Sequence, residues 1–233
     1  MIGVTENLNV VRGQLHAALS AAGRDTKAVT LLAVSKRKPA SAVRLLAEAG
    51  QRDFGENQLQ EALVKQAELT DLDLTWHFIG SVQSNKTRAI AEHFDWVHAV
   101  DRLKIAQRLS DQRPAELGAL NICLQVNIDD EGSKSGLPPD DLPALANACA
   151  ALPGLRLRGL MCLPAIREDE LEQRAPFARL RELSEALNAN GHTLDTLSMG
   201  MSGDYPAAIA EGATIVRIGT ALFGARDARG TTV

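Results

Sequence analysis

The sequence predicts a closed barrel of eight parallel strands alternating with helices. Three observations point there. Eight short apolar runs rich in β-branched residues alternate with helix-like segments along the chain. The connections are long enough to be crossovers, and crossovers of this kind join parallel neighbours. The 233 residues suit a (β/α)8, or TIM, barrel, whose usual length is about 250. An open doubly wound sheet would alternate equally, but it would carry a Gly-rich fingerprint after its first strand. Here that position reads SKRKPA, with no glycine until Gly50.

The elements follow in order. Val4, Leu8, Val11, Leu15, Leu19 and Ala22 recur at spacings of three and four, marking an amphipathic N-terminal helix closed by Gly23. The first strand is TLLAVSK (30–36). A helix between Pro39 and Gly50 comes next, since proline suits a first turn and glycine the position just past a last one. Further strands read RDFGEN (52–57), TWHFIG (75–80), WVHAVD (96–101), NICLQVNI (121–128), RLRGLMCLP (156–164), DTLSMG (195–200) and TIVRIGTALFG (214–224). Helices are expected over 57–69, 81–93, 102–111, 139–152 and 169–190, with a short one around 203–212. Only ARDARGTTV follows the eighth strand, too little for a final helix, so the N-terminal helix is expected to fill that gap. No linker, repeat or low-complexity tract divides the chain, and residues 1–233 read as a single domain.

Composition bounds the function. Hydrophobic residues make up 45% and charged residues 23%, as in ordinary globular proteins. The net charge of −4 and the absence of a large basic footprint argue against a nucleic-acid partner. Cys123, Cys149 and Cys162 are widely spaced, odd in number and set in apolar runs, so they read as buried free thiols of a reducing compartment. The N-terminus carries Glu6, Asn7 and Arg12 where a signal peptide would be basic and then apolar, and no apolar stretch is long enough to span a bilayer. A cytoplasmic location without membrane attachment is the expectation.

In such a barrel, chemistry sits at the C-terminal ends of the strands, often with a phosphate site after the last two. Strand 1 ends in Lys36, flanked by Arg37 and Lys38. If Leu32, Val34 and Lys36 share the inward face, desolvation and the neighbouring cations would disfavour the ammonium, and a neutral amine attacks carbonyls. The competing reading is a surface lysine at a strand end. The strand-7 stretch LSMGMSGDYP holds Ser198, Ser202, Gly200 and Gly203 before a short helix, a pattern that suits an anion. Arg217 lies mid-strand in VRIGT and needs a buried acceptor, either a ligand or a carboxylate such as Glu56. Gly219 and Thr220 follow it. Strand 2 ends in Glu56 and Asn57. His77 reads as a satisfied core histidine, and Lys134 as a loop lysine that could overhang the mouth.

LLAVSKRKPA, FGEN, WHFIGSVQSNK, SKSG, RGLMCLP, LSMGMSGD and VRIGTALFGAR, in that order from residue 31 to 226, closely resemble the pyridoxal phosphate homeostasis protein family. These are single-domain barrels related to the N-terminal domain of alanine racemase. The resemblance implies pyridoxal 5′-phosphate (PLP) held as a Schiff base on Lys36, and a role in vitamin B6 homeostasis. It implies that Ser198, Ser202, Gly219 and Thr220 bind the phosphate, that Arg217 faces the pyridine nitrogen, and that Asn57 and His77 line the cavity. Lys134 matches a second lysine of the family, implied to receive or pass on the cofactor. Gln58 departs from a common aromatic residue, and Arg37 from a small polar one.

An arginine at the pyridine nitrogen keeps that nitrogen unprotonated and the ring a poorer electron sink. Racemases of this fold add a tyrosine from a further domain, whereas this chain has one tyrosine, Tyr205, in the strand-7 loop. The expectation is a PLP buffer or carrier without efficient catalysis, monomeric, serving PLP-dependent apo-enzymes. A small PLP-dependent racemase-like enzyme is the alternative, and a cofactor-free Schiff-base aldolase stands further back. No metal is expected.

Overall fold

The computed structural model describes residues 3–129 and 135–224. After helix α1 (Val4–Ala21), strands and helices alternate as β1 (Thr30–Val34), α2 (Ala40–Glu48), β2 (Asp53–Glu56), α3 (Leu59–Glu68), β3 (Thr75–Phe78), α4 (Thr87–His93), β4 (Trp96–Val100) and α5 (Leu103–Gln112). They continue as β5 (Leu120–Gln125), α6 (Leu142–Ala150), β6 (Leu155–Met161), α7 (Glu170–Ala189), β7 (Thr196–Met201), α8 (Tyr205–Ala210), β8 (Ile215–Ile218) and α9 (Thr220–Phe223). The eight strands pair in chain order, all in parallel, and β1 closes on β8. The (β/α)8 barrel expected from the alternation is the observed fold.

Alternation of faces organises the wall. Leu31, Ala33, Phe54, Trp76, Phe78, Ile122, Leu124, Leu160, Val216 and Ile218 point outward and join one continuous core with the helices. Each fully buried Leu, Ile, Val or Phe side chain among them contributes about 1.5–3 kcal/mol relative to exposure. The alternate positions fill the barrel interior. Leu32 and Ile79 pack over Gly55, and Ala99, Cys123 and Met161 form a separate small apolar cluster. Other interior positions are polar, among them His77, His98, Ser198 and Arg217, all buried.

Several element bounds need correction, and strands 5 and 6 end at Gln125 and Met161, short of the expected 128 and 164. Strand 8 stops at Ile218, and the run TALF continues as the short helix α9 instead of as strand. The segment 81–93 is helical only from Thr87, whose hydroxyl donates to Ser84 O at 2.9 Å. α1 buries Leu8, Val11, Leu15 and Leu19 and packs against α2, α8 and α9, filling the outer ring as expected. Asn7 Nδ2 donates to Leu222 O at 2.9 Å, tying α1 to α9. The three cysteines are free and buried. Among the described residues no helix is long and apolar enough to cross a membrane.

Candidate functional site

The turn after β1 carries the candidate nucleophile. β1 ends at Val34, two residues before Lys36, so the alternation of faces stops there too. Lys36 is exposed. Its side chain is open to solvent, not desolvated as the strand reading expected. Instead the turn is held firmly. Lys38 N–H donates to Ser35 O at 3.0 Å, and Arg37 adopts φ 60°, unusual for a residue with a side chain. The Arg37 N–H donates to Glu61 Oε1.

Below the turn lies an ion cluster that sequence reading missed. Lys65 Nζ, on a side chain only 5% exposed, donates to Ser35 O at 2.7 Å, Glu56 Oε1 at 2.7 Å and Glu61 Oε1 at 2.6 Å. Ser35 Oγ donates to the same Glu56 oxygen at 2.6 Å. Burial pushes the Glu56 carboxyl up, and the bonds from Lys65 and Ser35 pull it back. Residues on both sides of Lys36 are thus pinned to α3 and β2. Glu61 and Lys65, four apart, look in the sequence like an ordinary solvated helix pair, and only the close approach of the turn after β1 and of β2 buries Lys65.

Glu56 shares its outward face with Phe54, so it cannot reach Arg217 inside the barrel. The expected alternative of an Arg217–Glu56 salt bridge is not formed. Arg217, 4% exposed, donates from Nη1 to Ser198 O at 2.6 Å and Ser198 Oγ at 2.8 Å, and from Nη2 to Cys162 O at 2.8 Å. Burial pushes it down from the ordinary arginine value. The group stays a cation, held by neutral acceptors.

The loops after β7 and β8 supply donors. Gly200 has φ 92°, and a Cβ there would lie 2.7 Å from Ala208 Cβ, so only glycine allows this bend against α8. Ser202 is exposed in the turn that follows, where Asp204 Oδ1 accepts the Met201 N–H at 2.6 Å. Gly219 caps α9 and lies against β1, since a Cβ there would sit 3.3 Å from Val34 O. Lys38 Nζ donates to Phe223 O at 3.1 Å, linking the Lys36 turn to α9. The backbone N–H groups of Ser202, Gly203, Gly219 and Thr220 meet no acceptor among the described residues.

The predicted residues therefore divide. Lys36, Asn57, Ser202, Gly219 and Thr220 follow the ends of β1, β2, β7 and β8, with Arg217 just beneath. Asn57 Oδ1 is buried without a hydrogen-bond partner. Its backbone is approached so closely by Gly80 that a Cβ there would lie 2.5 Å from Asn57 O. Ser198 and His77 sit deeper. The Ser198 hydroxyl is occupied by Arg217 and by His98 Nδ1 at 2.7 Å, so it braces the arginine from within the barrel. His77 bonds His98 through Nδ1 at 2.9 Å and Asp53 through Nε2 at 3.2 Å, which is the satisfied core histidine of the residue-based reading. Lys134 lies outside the described residues. His98 escaped the sequence reading because the run WVHAVD shows no more than a strand.

Comparison with known proteins places the chain. The alanine racemase N-terminal domain family matches residues 10–227. The pyridoxal phosphate homeostasis protein of Pseudomonas aeruginosa is 66% identical over 227 residues, covering 97% of each chain. That of Escherichia coli K12 is 52% identical over 230 residues, covering 97% of this chain and 98% of the relative. Among solved structures, PipY of Synechococcus elongatus with PLP bound aligns with a TM-score of 0.83 at 43% identity, covering 95% of this chain and all of that one. Alanine racemase from Corynebacterium glutamicum shares the fold at 16% identity, with a TM-score of 0.69 over 97% of this chain and 63% of that one. With its barrel, its strand-end residues and these relatives in agreement, the chain belongs to the pyridoxal phosphate homeostasis protein family, within the alanine racemase N-terminal domain family.

Proposed function

We propose that this chain binds PLP at the C-terminal mouth of its barrel and acts as a buffer or carrier in PLP homeostasis. The observation that carries the reading is the set of unengaged N–H donors at Ser202, Gly203, Gly219 and Thr220, on adjoining strand ends beside the Lys36 turn. A phosphate dianion needs donors of this kind. Arg217, a buried cation among neutral acceptors, favours an anionic or lone-pair partner, and the partnerless Asn57 Oδ1 would accept from a ligand donor. The residues present fit the cofactor. The names of the relatives and the PLP-bound PipY structure point the same way.

Bound there, PLP supplies an aldehyde that captures amines and a ring that accepts electron density. Lys36 would provide the amine that holds it covalently, and the pinned Ser35–Arg37 backbone keeps that amine at the mouth. Arg217, facing the ring nitrogen, would keep it unprotonated, which would weaken electron withdrawal. Tyr205, the single tyrosine, begins α8, and burial pushes its phenol up, so at neutral pH it stays protonated and is a poor proton acceptor. Holding without turnover follows. Delivery to PLP-dependent apo-enzymes, a monomeric state and a cytoplasmic setting belong to the same proposal.

The test adds PLP to the purified protein, records the visible spectrum, reduces with borohydride and maps the phosphopyridoxyl mass by peptide. A visible band with the label on the Lys36 peptide is expected, without net conversion of L- or D-amino acids. A label that avoids Lys36 would overturn its assignment, and racemisation at enzymatic rates would favour the racemase-like alternative.

A further inference from the structure

A run of polar side chains crosses the barrel interior beneath the mouth, and PLP binding by itself gives it no task. It links Arg217 to Ser198, His98, His77 and Asp53 through heavy-atom distances of 2.8, 2.7, 2.9 and 3.2 Å. Ser198 and His98 are fully buried, His77 is 1% exposed, and the Asp53 side chain is 29% exposed. Five strands contribute: β8, β7, β4 and β3, with β2 at the far end. Buried polar groups are costly unless every partner is satisfied, so this chain is a built feature of the interior.

We propose that His98, backed by His77 and Asp53, is a positioning residue for Arg217, acting through the Ser198 hydroxyl. The inference rests on the reading that Arg217 faces the cofactor. Its ground is the direction of donation. Arginine can only donate, and an ionised aspartate can only accept. Between these ends, each neutral imidazole has one N–H and one lone pair, and the hydroxyl has one proton. One arrangement then satisfies every nitrogen with both rings neutral. Arg217 Nη1–H donates to Ser198 Oγ, Ser198 O–H to His98 Nδ1, His98 Nε2–H to His77 Nδ1, and His77 Nε2–H to Asp53 Oδ1.

The consequence sits at Arg217. Of its three acceptors, Ser198 O and Cys162 O are backbone atoms fixed by the wall. The third, Ser198 Oγ, can swing. Its lone pair faces the guanidinium only while His98 Nδ1 takes the hydroxyl proton. Burial, then the nearby His77 and Arg217, hold His98 well below the usual histidine range, in keeping with a neutral ring. Stacking of His77 on Trp96, with ring centres 5.5 Å apart and planes 8° off parallel, fixes the next member of the chain.

The test begins with cofactor-free protein. Nitrogen-15 NMR of the imidazoles is expected to show both His98 and His77 as neutral Nε2–H tautomers. PLP affinity is then measured by absorbance titration for the parent, His98→Phe, His98→Asn, Arg217→Gln and the His98→Phe/Arg217→Gln pair, each checked for folding by circular dichroism. His98→Phe is expected to weaken PLP about tenfold, the scale of one hydrogen bond to a charged group. His98→Asn, whose amide oxygen can still take the Ser198 hydroxyl, should restore most of it. The double variant should match Arg217→Gln alone. An equal effect of His98→Phe in both backgrounds, or an Nδ1–H tautomer at His98, overturns the proposal. If His98→Phe does not fold, Ser198→Ala takes its place in the same cycle, and an equal effect in both backgrounds again overturns the proposal. If Arg217→Gln leaves affinity unchanged, the cofactor reading of Arg217 fails and the proposal falls with it, while the tautomers still report whether the chain exists.

Discussion

Lys65→Met tests how the Lys36 turn is held. The substitution keeps the length and apolar stem of the side chain and removes a cation with three acceptors. Glu56 is then left fully buried, with Oε1 bonded only by Ser35 and Oε2 without a partner. Breaking one side of a buried ion pair costs about 3–5 kcal/mol, because the remaining charge is stranded. Glu56 has an escape, since burial already pushes its carboxyl up and protonation would neutralise it. The expected loss at pH 7.5 is therefore near the lower end, about 3 kcal/mol. With a urea m-value of about 3 kcal/mol/M, the unfolding midpoint should fall by about 1 M. The sign with pH follows from linkage. In the variant the folded Glu56 holds a proton more tightly than the unfolded one, so the deficit grows as pH rises above the unfolded carboxyl value and shrinks towards pH 5. Adding Glu56→Gln removes the stranded charge and should recover about half of the loss. A midpoint shift below about 0.3 M, or a double variant weaker than the single one, would refute a stabilising role for this cluster.

Asn57→Ala removes a buried oxygen that has no partner, so cofactor-free stability should stay within about 1 kcal/mol of the parent, while PLP affinity falls several-fold. Comparing melting and titration of the same sample checks both halves, and a large stability loss would make Asn57 structural. Gly159→Ala would place a Cβ 1.7 Å from Thr196 O across the β6–β7 pair. It should cost more than about 4 kcal/mol or abolish soluble expression, and near-parental melting would contradict the strand spacing. Burial pushes the thiols of Cys123, Cys149 and Cys162 from the ordinary 9.0 up to about 12. The folded chain holds those protons more tightly, so stability should be full below about pH 9 and decline as pH rises towards 12. Urea midpoints at pH 8 and 10 should drop further for the parent than for a variant with all three cysteines changed to alanine.

Much of this protein is legible in its sequence because the signals are local. Strand–helix alternation, the glycine after α1 and the polar residues ending each strand are read within windows of a few residues, and a parallel closed barrel follows from their number and order. Lys36, Asn57, Ser202, Gly219 and Thr220 could be placed at one rim because every βα turn of such a barrel opens on the same side. The resemblance to the family added the identity of the cofactor.

What the tertiary structure decided lies where distant segments meet. The end of β1 at Val34 leaves Lys36 exposed in a turn, and its restraint comes from Lys65, 29 residues further on in the chain. The TALF stretch becomes helix α9 since it must pack beneath α1, although its composition also suits a strand. Ser198, read as a phosphate ligand, is drawn inside by the alternation of faces and braces Arg217. The chain from Arg217 to Asp53 spans five strands of the closed wall, and no window of sequence contains even two adjoining members of it. Local patterning determines which residues can form strands and mouths; closure of the barrel alone determines which polar side chains face one another in its interior, and so which hydrogen bonds can form there.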